Sequence, residues 1–151
     1  MMSKNSSPQF VSALGLDVGQ KRIGVAGCDG LGLMATGLMT LKRSTFDQDV
    51  AQLRKLVQER RVQVLVVGLP YSMNGTLGMQ ARKVQRYATG LSQSLELPLE
   101  YIDERLTSFQ AEQMLRDANI SPSRNKALID RKAAAIILQQ WLDQRLRQNP
   151  S

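Results

Sequence analysis

The sequence predicts an α/β fold: a mixed sheet, made of a three-strand antiparallel meander plus parallel strands, with helices on both faces. Three observations carry this expectation. The opening segments are short, apolar and of two-residue period, separated by tight turns; a nearly continuous β-branched run, VQVLVV, follows the first helical segment; and helical and strand patterns then alternate to the end of the 151-residue chain.

In Ala13 to Val18, Leu14, Leu16 and Val18 alternate with Ala13, Gly15 and Asp17, the period of a strand. After a turn at Gly19 and Gln20, Ile23 to Cys28 reads as a second strand. Asp29-Gly30, a pair that tolerates positive φ, closes it into a hairpin with a third strand over Gly37 to Leu41. Ser44 or Thr45 caps a first helix with Asp47 and Asp49 in its first turn; Val50, Leu53, Leu56 and Val57 form its apolar stripe, and it runs to about Arg60. Val62 to Val67 suits a strand buried on both faces and leads into the loop GLPYSMNGTLG. A second helix spans Met79 to Leu95, and a short strand follows Pro98 over Leu99 to Asp103. Thr107 with Gln110 forms a capping-box pattern that starts a third helix ending near Ala118. Asn119 to Asn125, with Pro122, is a loop, and the final helix covers Lys126 to Arg147. With no linker, repeat or low-complexity block, one domain over 11–148 is expected after a disordered tail over 1–10.

Composition narrows the chemistry. There is no histidine, so Ser-His-Asp and Cys-His catalysis and imidazole-ligated metals are excluded, and the single cysteine, Cys28, precludes an intramolecular disulfide or a multi-thiolate zinc site. Cys28 reads as a small buried apolar residue. Any enzyme chemistry falls to carboxylates. Lysine and arginine number 20 against 13 acidic residues, a formal net charge of +7, which favours a polyanionic partner such as nucleic acid over mere solubility. The apolar stretches are strand-length and MMSKNSSPQF lacks the core of a secretory signal, so a cytoplasmic protein with no membrane partner is expected.

Three carboxylates stand where carboxylates are disfavoured. Asp17 lies near the end of an apolar first strand; its bland role would be to accept backbone hydrogen bonds in the turn at Gly19. In IDERLTS, Asp103 and Glu104 point to opposite faces, so one of them reaches a shared site; Glu104 is the choice, against an exposed pairing with Arg105. Asp130 heads the stripe Ala134, Ile137, Leu138 and Trp141, and the alternative there is a salt bridge to Arg22 or Lys126. Two carboxylates about 4 Å apart repel by roughly 4 kcal/mol at an effective dielectric near 20, so three converging ones call for a cation. Magnesium, or manganese in its place, takes oxygen ligands and supports phosphodiester hydrolysis.

Four segments, GLDVGQKRIGVA, VVGLPYSMNGTLGMQARKV, YIDERLTSFQAEQML and IDRKAAAIILQQWL, resemble the YqgF family, also called RuvX, over nearly the whole chain. The ordered combination is specific. The resemblance implies an RNase H-like fold related to Holliday-junction resolvases, with metal held by a first-strand Asp, a Glu after a later strand and a last-helix Asp; Asp17, Glu104 and Asp130 match those places. It further implies a nuclease maturing the 5′ end of 16S rRNA in ribosome biogenesis, with structured RNA in the pre-ribosome as partner and branched DNA as the nearest rival. Where many relatives read D-S-x-A-A, this chain has Asp130-Arg131-Lys132-Ala133-Ala134, and the added charge can grip phosphate or alter the metal site.

Lys21 and Arg22 after the first carboxylate, and Arg105 after Glu104, can hold phosphate or neutralise the carboxylates. Tyr71 or Asn74 in the loop after VQVLVV can contact a nucleotide, the alternative being a glycine-shaped loop with Met73 packed beneath it. Arg82, Lys83 and Arg86 fit either a phosphate-facing stripe or a solvated face, Arg131 joins the phosphate-binding candidates, and Trp141 and most methionines read as core. The competing functions are an actin-like ATPase or sugar kinase, for which the chain has room for only one of the two required domains, and a non-catalytic RNA-binding assembly factor. A monomer or weak homodimer is expected.

Overall fold

The computed structural model describes residues 10–70, 77–104 and 107–148. Five strands, β1 (Ala13–Val18), β2 (Arg22–Cys28), β3 (Ala35–Lys42), β4 (Val64–Leu69) and β5 (Leu99–Asp103), form one sheet in the order β3-β2-β1-β4-β5. β1 pairs antiparallel with β2, and β2 with β3, while β1–β4 and β4–β5 are parallel. The helices are α1 (Phe46–Arg60), α2 (Met79–Leu95), α3 (Thr107–Asp117) and α4 (Lys126–Gln148). This is the mixed sheet the sequence predicts.

Alternation along β1 builds two cores. Leu14, Leu16 and Val18 join Leu53 of α1 and Val84, Ala88 and Leu91 of α2 on one face. Ala13 joins Ala26, Val66 and the α4 residues Ala134, Ile137, Leu138 and Leu142 on the other, with α3 packed on α4. Cys28 is buried in this second core. Trp141 is half-buried against it, its indole Nε1 donating to Glu100 Oε1 at 2.8 Å. Methionine departs from expectation: among those described only Met39 packs on a core, whereas Met34, Met79 and Met114 are 66%, 75% and 47% exposed. Met34 sits in a loop and Met79 opens α2, where an unbranched side chain reaches solvent.

Several boundaries move for identifiable reasons. β4 begins at Val64 because α1 ends on Arg61 in a left-handed conformation (φ 53°), which turns the Val62 N–H back to Val57 O at 3.0 Å. It continues through Leu69 because Gly68 and Leu69 pair with Ile102 and Asp103. In the β2–β3 connection the positive φ falls on Gly32 (72°), not on Asp29-Gly30; the Asp29 carboxylate organises the loop by accepting from Leu31, Leu33 and Met34 N–H. Pro122–Arg124 is a 3-10 turn rather than an irregular loop. Thr45 caps α1, accepting from Gln48 N at 3.2 Å. Asp49, in the first turn, is buried, its oxygens accepting from Ser44 N at 3.1 Å and Tyr87 O–H at 2.7 Å.

α4 lies on the sheet over strand positions that lack side chains. A Cβ at Gly15 would stand 2.7 Å from Leu138 Cβ, and one at Gly37 3.0 Å from Arg131 Cβ. One at Gly24 would overlap the Asp130 carbonyl, and one at Gly68 would crowd Ile137 and Glu104. Glycine inside a strand marks such a close approach. Gly24→Ala is therefore expected to lower stability by about 1–3 kcal/mol, since helix backbone cannot step aside as a side-chain tip can. Gly30→Ala, whose nearest neighbour is Phe10 at 3.5 Å, should be close to neutral, and urea denaturation of the two variants makes the comparison.

Candidate active site

Asp17 projects from β1 toward α4, on the side opposite Leu16 and Val18. Its neighbours in the sheet are glycines: Gly24 pairs with it across β2, and on β4 Gly68 follows Val67, the partner of Leu16. These bare positions clear the space that Asp130 and Glu104 occupy. Gly24 admits the α4 backbone at Asp130, and the Glu104 carboxyl carbon lies 2.9 Å from where a Gly68 Cβ would stand. Glu104 is fixed at the end of β5 by its N–H, which donates to Leu69 O at 3.1 Å.

The Asp17 and Glu104 side chains share a hydrogen bond. Burial, opposed by that hydrogen bond and reinforced by the charge of Asp130, raises Asp17 to about 6. Burial, then the charge of Asp17, the hydrogen bond to it and the charge of Asp103 raise Glu104 to about 9. At neutral pH the pair thus holds one proton, shared in the hydrogen bond between the two carboxyls. Asp103 is exposed, so the two consecutive acids diverge as strand geometry requires.

Asp130 is near enough to act on Asp17, but its own carboxylate is bound by arginine: Arg22 Nε donates to Asp130 Oδ2 at 2.6 Å. Of the two ion pairs offered for Asp130, the structure has the one with Arg22. Among the described residues no group of three or more His, Cys, Asp or Glu stands arranged to hold a metal ion. Two of the three carboxylates are in contact, and the third adjoins them across an arginine bond.

The basic candidates separate. Lys21 is exposed in the β1–β2 turn, where Gly19 N donates to Arg22 O at 2.9 Å. Arg82 and Arg86 line a groove with Tyr101, whereas Lys83 points into a different cavity beside Gly19 and Gln20. Arg131 packs over Gly37 and lines a cavity of about 430 Å³ between β3, α3 and α4, with Lys132 and Met114. Tyr71, Met73, Asn74 and Arg105 lie outside the described residues, as does the Thr107 side chain of the capping box.

Sequence reasoning missed Arg43. Its Nη1 donates to Gly19 O at 2.6 Å, and its guanidinium sits 4.1 Å from the centre of the Tyr87 ring, so it ties the turn after Asp17 to α2. Partners that distant in sequence leave no local pattern. Gly24 and Gly68 were also missed, although a glycine inside a strand-forming run is itself a signal.

The profile described as "RuvX: Holliday junction resolvase" matches residues 11–144. The chain belongs to the RuvX family. Relatives named "Putative pre-16S rRNA nuclease" in Trichormus variabilis and in Nostoc sp. (strain PCC 7120) are each 68% identical over 135 residues, covering 89% of this chain and 89% of their own. The relative of that name in Crocosphaera subtropica is 67% identical, covering 89% of this chain and 94% of its own. Among solved structures, Thermus thermophilus RuvC in complex with a Holliday junction substrate superposes with a TM-score of 0.56 at 16% identity, over 90% of this chain and 96% of that one. Fowlpox virus resolvase with Holliday junction DNA gives 0.55 at 10% identity, over 90% and 99%. At such identities the likeness establishes the fold, which is RNase H-like and RuvC-like. Among the described residues no helix of this RuvX protein is long and apolar enough to cross a membrane.

The shared proton has a thermodynamic consequence. Both carboxyls titrate higher in the folded chain than when unfolded, so their contribution to stability is complete below the ordinary carboxylate range. It is lost as pH climbs through about 6 and then about 9. Without divalent cations, urea midpoints should fall from pH 5 to pH 9. In Glu104→Gln, which keeps a donor toward Asp17, the part of the decline above pH 7 should vanish.

Proposed function

We propose that this RuvX protein is a metal-dependent nuclease that hydrolyses phosphodiester bonds of structured RNA, processing the 5′ end of pre-16S rRNA in ribosome biogenesis. The observation that carries the reading is the Asp17–Glu104 pair: two half-buried carboxyls in contact, holding one proton, at the carboxyl ends of β1 and β5. The substrate comes from the name shared by relatives up to 68% identical.

The donor set fits a hard divalent cation. It consists of carboxylate oxygens with no imidazole in the chain, and the one thiol, Cys28, is buried with its Sγ toward Val11 O, which suits magnesium or manganese rather than zinc. Asp17 and Glu104 would hold the ion, and Asp130 would complete the set on leaving Arg22. When bound, the ion supplies Lewis acidity toward a phosphoryl oxygen and an activated water. For their part, Asp17 and Glu104 give up the shared proton. Arg22, released from Asp130, offers its planar donors to a phosphate oxygen, and exposed Lys21 adds a second cation at the same turn. Gly24 and Gly68 keep the ligand space open.

A second substrate, four-way DNA, is favoured by the family's description as a Holliday junction resolvase. A 5′-extended 16S precursor fragment and a four-way DNA junction, each incubated with the protein and magnesium, decide between them. The precursor should be cut, and Asp17→Asn should reduce the rate by more than about 100-fold, a larger loss than that from removing an outer-shell partner. Undiminished cleavage by Asp17→Asn would rule out this site. Magnesium should also raise the thermal midpoint of the wild type and not that of Asp130→Asn; a protein that only binds RNA would show neither effect.

A further inference from the structure

The helix α2 differs from the other three in charge. It carries Arg82, Lys83 and Arg86 and no acidic residue, whereas α1, α3 and α4 each mix both signs. Arg116 of α3 has an i,i+4 partner in Glu112, at 3.6 Å; Arg82 and Arg86 are exposed and have no acidic partner among the described residues. Separated by four positions, they share one side of α2 and line an open groove of about 650 Å³ with Gln85, Thr89, Gln93 and Tyr101 of β5. Tyr101 packs partly on the core beneath, which holds its ring. The groove therefore combines paired cations, a held aromatic ring and side-chain amides, with no carboxylate in its lining.

We propose that this groove is a track for single-stranded RNA flanking the cleavage point, with Arg82 and Arg86 on phosphates, Tyr101 stacked on a base, and Gln85 and Gln93 on base edges. Stacking on a recessed ring requires an unpaired base, which a duplex does not present. Position supports the assignment. β5 is an edge strand, and Tyr101 precedes Glu104 by three residues, about 10 Å along the strand. A strand lying in the groove would thus pass round the β5 edge of the sheet to reach the carboxylates on the opposite face. The track rests on the nuclease reading for its role, but binding can be measured apart from cleavage.

Fluorescence anisotropy with a labelled single-stranded RNA, in EDTA and over a salt series, tests it alongside the precursor-cleavage assay. Losing two phosphate contacts in Arg82→Ala/Arg86→Ala should flatten the slope of log K against log salt by about 1.4. Tyr101→Leu should weaken binding about tenfold with the slope unchanged, while Tyr101→Phe, which keeps the ring, should bind like wild type. The arginines are exposed, so the double variant is not expected to perturb folding. Unchanged affinity and slope in that variant, with cleavage intact, would overturn the track and leave the nuclease standing. Arginine-dependent RNA binding without any cleavage would keep the track and remove the nuclease. Binding confined to duplex or four-way DNA would overturn the track.

Discussion

The contact between α4 and the bare backbone of the sheet is the constraint from which the site follows. A helix seated on Gly15, Gly24, Gly37 and Gly68 rests closer to the strands than one riding on side chains, and its first turns cross β2 beside Asp17. The two glycines flanking Asp17 have separate tasks: Gly24 admits the helix backbone that carries Asp130, and Gly68 admits the Glu104 carboxyl. Side chains at either position would drive the acids apart. An aspartate inside an otherwise apolar strand persists because its neighbours have given up their own contribution to the core.

Bringing acids together raises an electrostatic cost that the fold meets in two ways. Asp17 and Glu104 share a proton, and Asp130 takes Arg22. Each arrangement leaves a negative group half-buried and compensated by something exchangeable: a proton is lost to solvent, and an arginine rotates away. Full neutralisation by rigid, buried partners would have made the cluster a stable salt-bridge network with nothing left to give. On the proposed reading, the proton and the guanidinium hold the places that a divalent cation and a phosphate would take.

Much of the fold was legible because local rules and tertiary demands agree. The bounds of β1, α2 and β5 read directly from periodicity and flanking turns, whereas β4 slid by two residues because the cap of α1 consumed Val62. The hairpin after β2 was misplaced because a carboxylate, Asp29, set its shape and sent the left-handed residue to Gly32. At the site, Asp17 and Glu104 stood out as charges at the ends of apolar runs, and strand alternation required the two adjacent acids of the DER turn to diverge, as they do: Glu104 meets Asp17 while Asp103 is exposed. The pairing of Asp130 with Arg22 was visible only as one of two options, because 108 residues separate them. The sorting of the α2 cations was available in principle: successive helical positions diverge, so Arg82 aligns with Arg86 and not with Lys83.

A nuclease that works through carboxylates faces a conflict, because the acids that hold a cation repel the phosphates of the substrate, while basic residues placed to attract those phosphates neutralise the acids. Arg22 shows the second half of this conflict, since it lies within reach of Asp130 and is bound to it. Arg82 and Arg86 avoid it by position: they belong to a helix on the opposite face of the sheet from Asp17, and that helix carries no acid of its own. The sheet separates the acidic cluster, on the α4 side, from the acid-free pair Arg82 and Arg86, on the α2 side. A flexible, single-stranded chain can follow both faces around the β5 edge, whereas a rigid duplex would have to choose one. For the proposed nuclease the net charge of +7 matters less than this separation, because the same cations placed beside Glu104 would neutralise the acids and be neutralised by them.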